Sequence, residues 1–145
     1  MSTIAGAAGP HSRTRSLLGG DAASQAFLML RVAFTVAPIL FGLDKFAEVL
    51  TDDWERYLSS EFNSLLPGSA HDAMLIVGVV EVVAGLVVLF EPRIGAPLVA
   101  AWLGGIILNL LLHGGYGDIA LRDFGLMLGA LTLARLAWAP RPERR

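Results

Sequence analysis

A chain of 145 residues that is 54% hydrophobic, with a net charge of only −2, exceeds the roughly 45–50% apolar content of soluble domains and offers no basic field to nucleic acid. It contains no cysteine, which excludes a disulfide framework, thiol catalysis, thiolate metal sites and a dithiol enzyme of the quinone-reducing, disulfide-forming kind. Its three histidines are well separated in sequence, so no metal centre is expected.

Residues 1–24 are rich in Gly, Ala and Ser and carry Arg13 and Arg15. They read as a disordered cytoplasmic tail. The apolar segment that follows is too long for a signal-peptide core, and no small-residue cleavage pattern comes after it. The membrane domain is expected over residues 25–139 and a short basic cytoplasmic tail over 140–145. A first span covers about 25–46, with Arg31 and Pro38 inside it.

Between the first and second spans, Phe46, Leu50, Trp54, Tyr57, Leu58, Phe62 and Leu65 recur at spacings of mostly three and four among acidic residues. That pattern predicts one amphipathic helix or two, ending at Pro67-Gly68 and lying at the outer membrane boundary. The second span, 73–90, holds a single charge, Glu81. A carboxylate at that depth is costly and needs a partner. The third span covers 94–112, with Pro97 in its first turn, and the fourth covers about 119–139, stopping before Pro140 and Pro142.

No segment alternates with a period of two, so the spans are helices and the fold class is an all-α, four-transmembrane-helix bundle. Arg13, Arg15, Arg93, Arg141, Arg144 and Arg145 lie on one side, against Lys45, Arg56 and Arg122 on the other. The excess places both termini in the cytoplasm and the 46–66 segment outside, for a multi-pass membrane protein.

Small and polar residues form one stripe on each span: Arg31, Thr35, Gly42 and Lys45; then Gly78, Glu81 and Gly85; then Gly105, Asn109 and His113; then Arg122, Gly125 and Gly129, with Asp123 beside them. Glycines let helices approach closely in lipid, and Gly125 and Gly129 have the GxxxG spacing. By helical rise, Arg31 and Glu81 lie at nearly matched depths from the cytoplasmic side, which predicts a buried Arg31–Glu81 ion pair. Lys45, Asn109, His113 and Asp123 gather at the outer end, with Asp44 and Arg122. Their donors, acceptors and one near-neutral titrating group suit a quinone-like headgroup or a small anion. A quinone is one cofactor such a site could take, beside a polar headgroup or a small anion, and no covalently attached group is implied.

At these residues the chain resembles the DoxX-like family of small four-helix membrane proteins. The matching pieces are Arg31, Phe41 to Phe46 with Asp44 and Lys45, Gly78 to Gly85 around Glu81, and Arg122 to Ala130 with Asp123. The resemblance implies a four-span bundle in the plasma membrane with Arg31, Lys45, Glu81 and Asp123 as signature residues. It also implies a link to quinone-dependent redox chemistry, since some members are membrane subunits of thiosulfate:quinone oxidoreductases. Two functions stay open: a redox-associated subunit that binds quinone or anchors a partner, and a non-catalytic accessory subunit of a larger, respiratory-type membrane complex. A small carrier is a weaker third. The expected partners are lipid and either further copies or a larger membrane complex, with no nucleic acid. Whether the chain is an enzyme is left open by its sequence.

Overall fold

A computed structural model describes residues 21–139, and within them every regular element is a helix. Helix α1 is Ala22–Ala47, α2 is Ser60–Leu65, α3 is Ala70–Phe90, α4 is Pro92–His113 and α5 is Gly117–Ala137, with a 3₁₀ turn over Trp54–Tyr57 before α2. Most of the expected N-terminal tail and all of residues 140–145 lie outside the described residues. Residues 22–24 are helical because the Asp21 carboxylate caps α1, accepting from Ser24 N at 2.8 Å.

The helix boundaries follow local chemistry. Ser69 and Asp72 form a capping box at the start of α3. Glu91 alone separates α3 from α4, and Pro92 opens α4 where its missing N–H costs nothing. Gly114 and Gly115, both with positive φ, turn the chain from α4 to α5.

Helix α1 packs on α3 and α4 on α5, and the two pairs join through α3–α4 and α1–α5 contacts. Four long helices thus form an up-down bundle. One end, the tail end, holds the start of α1, the α3–α4 link and the end of α5. The other, the cap end, carries the irregular segment between α1 and α3. Helices α1, α3 and α4 are each long and apolar enough to cross a membrane. Helix α5 has the same length as α3 but carries Asp118, Arg122, Asp123 and Arg135.

The burial pattern inverts that of a water-soluble protein. Leu28, Met29, Leu111 and Leu121 are 60–72% exposed, while Asp44 and Lys45 are 6% exposed. An apolar core of Phe34, Ala84, Val88, Val99, Ala130 and Leu133 fills the tail-end half. The other half buries Asp44, Lys45, Glu81, Asn109 and Asp123 beside apolar residues such as Met74 and Leu110.

The α1–α3 contact is backbone-close and reciprocal. A Cβ added at Gly42 would lie 2.5 Å from the Gly78 carbonyl oxygen, and one at Gly78 would lie 2.8 Å from that of Gly42. One at Gly85 would lie 2.8 Å from the Thr35 oxygen. The close approach predicted for Gly125 and Gly129 is placed differently. Nothing stands within 4 Å of a Cβ at Gly125, and Gly129 makes room for the Phe34 ring instead of a helix backbone.

This glycine register staggers the two helices. Gly42 faces Gly78, Thr35 faces Gly85, and Arg31 reaches Leu89. Helix α1 therefore overhangs α3 by about two turns at the tail end, whereas α3 extends less than one turn past the end of α1 at the cap end.

Candidate functional site

Glu81 pairs with Lys45, not with Arg31. Lys45 Nζ lies 2.7 Å from Glu81 Oε2, with the two side chains 5% and 11% exposed. Arg31 donates through Nη2 to the Leu89 carbonyl near the end of α3. The stagger explains the difference. Depths counted from helix ends assume level ends, whereas the glycine register puts Arg31 opposite Leu89, roughly 12 Å along α3 from Glu81.

Three further groups complete the buried centre. Asp123 on α5 is 7% exposed and close enough to Glu81 for their charges to interact. Its own cation is its chain neighbour Arg122, with Nε 3.4 Å away and a side chain 68% exposed. Trp102 on α4 places a buried indole N–H near Glu81 without a hydrogen bond of normal geometry. Trp54 from the cap lies over the Lys45 ammonium, 4.1 Å from Nζ to the ring centroid. One amine, two carboxylates and two indoles from α1, α3, α4, α5 and the cap thus meet at one level.

The cap is tied down at several points. Asp44 accepts from Val49 N at 3.0 Å, Leu50 N at 2.9 Å and Trp54 Nε1 at 3.1 Å, turning the chain sharply after α1. The sequence places Asp44 beside the expected ligand residues of the outer end, yet it is buried and organises the backbone. Ring contacts continue from Phe41 through Trp54 and Tyr57 to Tyr116, edge-to-face at the first and last and tilted between the two middle rings. At the exposed surface, Glu55 meets His71 Nδ1 at 2.8 Å. That contact holds the Glu55 carboxyl below the ordinary glutamate range.

Asn109 is buried as expected, but its amide already has protein partners. Its Oδ1 accepts from Ser59 N at 2.9 Å, and Nδ2 donates to the Tyr57 carbonyl at 2.7 Å. This expected ligand residue is therefore the latch between α4 and the cap. Its depth is explained by two backbone groups of the irregular cap segment that face the bundle, where each needs a partner. Asn109→Leu is expected to free the cap, costing about 1–3 kcal/mol through the stranded Ser59 N–H and Tyr57 C=O. Amide hydrogen exchange should show faster exchange over residues 54–65 and unchanged protection in α3.

His113 stands apart from the buried centre. It ends α4 at the exposed rim, stacks on Tyr116 with centroids 5.2 Å apart, and interacts with Glu61 of α2. Of the four residues expected to form an outer ligand site, Lys45 and Asp123 share the buried centre, Asn109 latches the cap, and His113 lies at the water-facing edge. Trp54 and Trp102 were missed as site residues. Their sequence signal is weak, since a tryptophan in an apolar chain reads equally as an interface anchor.

Comparison with protein-family models, curated proteins and solved structures finds no match to this chain.

Proposed function

We propose that this chain is a four-span, DoxX-like protein of the plasma membrane that acts as a redox-associated subunit and binds a quinone-like headgroup at the Lys45–Glu81–Asp123 centre. Both termini are cytoplasmic, and the cap over residues 48–69 faces outward. Support for a fourth span comes from α5. Phe124, Leu126, Leu128 and Leu131 are each close to half exposed along its middle, as lipid-facing residues would be, and its charges lie toward its two ends. The basic residues of the tail end support the orientation. The motifs around Arg31, Lys45, Glu81 and Asp123 support the family.

The observation that carries the functional reading is the Lys45–Glu81 pair flanked by two indoles, Trp54 over the ammonium and the Trp102 N–H beside the Glu81 carboxylate but short of normal hydrogen-bond geometry. A flat ring with carbonyl oxygens matches that environment. It can stack on an indole, accept from Lys45 or Trp102, and exchange protons with an amine and two carboxyls. A buried donor whose hydrogen bond is poorly formed costs free energy that a well-placed ligand oxygen would recover. Cap opening is the route of entry, because Trp54 covers Lys45.

The test uses the two tryptophans as reporters. In lipid nanodiscs, a short-chain quinone should quench Trp54 and Trp102 fluorescence saturably, and the Lys45→Met/Glu81→Leu double variant should bind at least about tenfold more weakly, matching one charged hydrogen bond. Equal quenching of parent and variant would contradict the proposal.

A second reading has its own support. Asp44 and Asn109 use their polar atoms on the cap backbone, and Lys45 and Glu81 satisfy each other. A centre satisfied from within suits a non-catalytic accessory subunit of a larger membrane complex. Absence of saturable quinone binding, with stable co-purification of other membrane subunits, would favour it.

A further inference from the structure

A second concentration of charge lies at the opposite end of the bundle. Arg31 of α1 and Arg93 of α4 line one cavity of about 320 Å³, walled by Phe27, Phe90, Pro92 and Ala137, with Glu91 as its acid. Each arginine is fixed by a helix-end carbonyl. Arg31 Nη2 donates to Leu89 O, and Arg93 Nε donates to Ala137 O at 3.1 Å. Trp138 Nε1 donates back to Arg93 O at 3.0 Å. These bonds hold the two guanidiniums in place while leaving most of their N–H groups unused. Arg31 Nε is buried and has no partner at all.

Arg31 also borders a second, apolar groove of about 380 Å³, formed with Leu28, Val32, Thr35, Val36 and Leu89. This groove runs along the α1 surface toward the membrane interior. A polar cavity with two guanidiniums therefore adjoins an apolar channel, and one arginine belongs to both. That is the shape and polarity of an amphiphile with an anionic head. A free anion would have no use for the groove.

We infer that this end of the bundle binds an anionic phospholipid. Its phosphate sits between Arg31 and Arg93, and one acyl chain lies along Leu28, Val32 and Val36. Bidentate contact of guanidinium with phosphate oxygens supplies the recognition. Arg135, in the last turn of α5, adds further attraction to an anionic leaflet. Glu91 opposes the bound phosphate, so it limits affinity. The site is separate from the Lys45–Glu81–Asp123 centre and does not depend on the function proposed for it.

Native mass spectrometry of the protein released from nanodiscs of mixed phosphatidylglycerol and phosphatidylcholine tests this directly. The parent should retain phosphatidylglycerol preferentially. Arg93→Gln should reduce that preference about fivefold, the value of one basic residue near an anionic surface. Glu91→Gln should raise it by a similar factor. Arg31→Lys keeps charge but loses the fork, and should fall between parent and Arg93→Gln. Equal retention of both lipids by the parent, or no change in Arg93→Gln and Glu91→Gln, would overturn the inference. Displacement of the retained lipid by millimolar inorganic phosphate or glycerol phosphate would also overturn it, since the site would then be one for free anions. A purely structural role for Arg93 predicts loss of stability with unchanged lipid preference.

Discussion

Glu81→Leu and Lys45→Met each destabilise the bundle by about 3–5 kcal/mol, and the double substitution returns to within about 1 kcal/mol of the parent. Either single change strands a charge where water does not reach it, and that penalty exceeds anything the pair contributes when intact. Removing both leaves two apolar side chains of similar volume in a protein interior. Unfolding from mixed micelles by increasing denaturing detergent gives the four free energies of the cycle. The control is the Arg31→Leu/Glu81→Leu combination, which should be additive to within about 0.5 kcal/mol because the groups lie roughly two turns apart. Coupling of Glu81 to Arg31 in place of Lys45 would refute the α1–α3 register.

Gly42→Leu is expected to cost about 3 kcal/mol, the upper part of the range for overpacking a filled interior. Its Cβ would stand 2.5 Å from a backbone carbonyl and 2.8 Å from Val82 Cγ2. Backbone does not yield as a flexible side chain does, so α1 and α3 must separate, and the Lys45–Glu81 contact one turn away stretches with them. Gly125→Leu serves as the comparison. Nothing lies within 4 Å of its Cβ, so the change should stay within about 0.5 kcal/mol. The same unfolding assay ranks the two, and equal losses would mean that the glycine contacts do not govern helix spacing.

Much of this architecture was legible in the sequence. The apolar runs around Leu40, Val83 and Ile106, broken by Pro92 and the Gly114-Gly115 turn, mark helices by length and composition. That Glu81 needs a buried partner followed from its depth alone. Its partner did not, because a stagger of two turns is set by Gly42, Gly78 and Gly85 meeting backbone to backbone, and sequence spacing within one helix carries no register against another.

The cap shows a similar division. Its spacing of apolar residues predicted helical structure, and two short helical pieces form, but their hold on the bundle comes from side chains accepting or donating to backbone. Asp44 and Asn109 look like ligand residues in a sequence. They prove to be structural because Val49, Leu50, Tyr57 and Ser59 present N–H and C=O groups that no helix satisfies. Which irregular backbone groups end up facing a polar side chain is a property of the folded chain.

Single-cysteine accessibility tests the central claim, a four-span bundle with its charged centre beneath an outward-facing cap, most directly. The chain has no native cysteine, so one residue at a time reports its own side. Cysteines at Ser60 in the cap, Gly115 between α4 and α5, and Ala139 just beyond α5 are treated with an impermeant thiol reagent on intact cells. Positions 60 and 115 should label from outside, and position 139 only after the membrane is opened. Labelling of 115 and 139 from the same side would show that α5 does not cross the membrane, and would contradict the four-span bundle on which the buried centre depends.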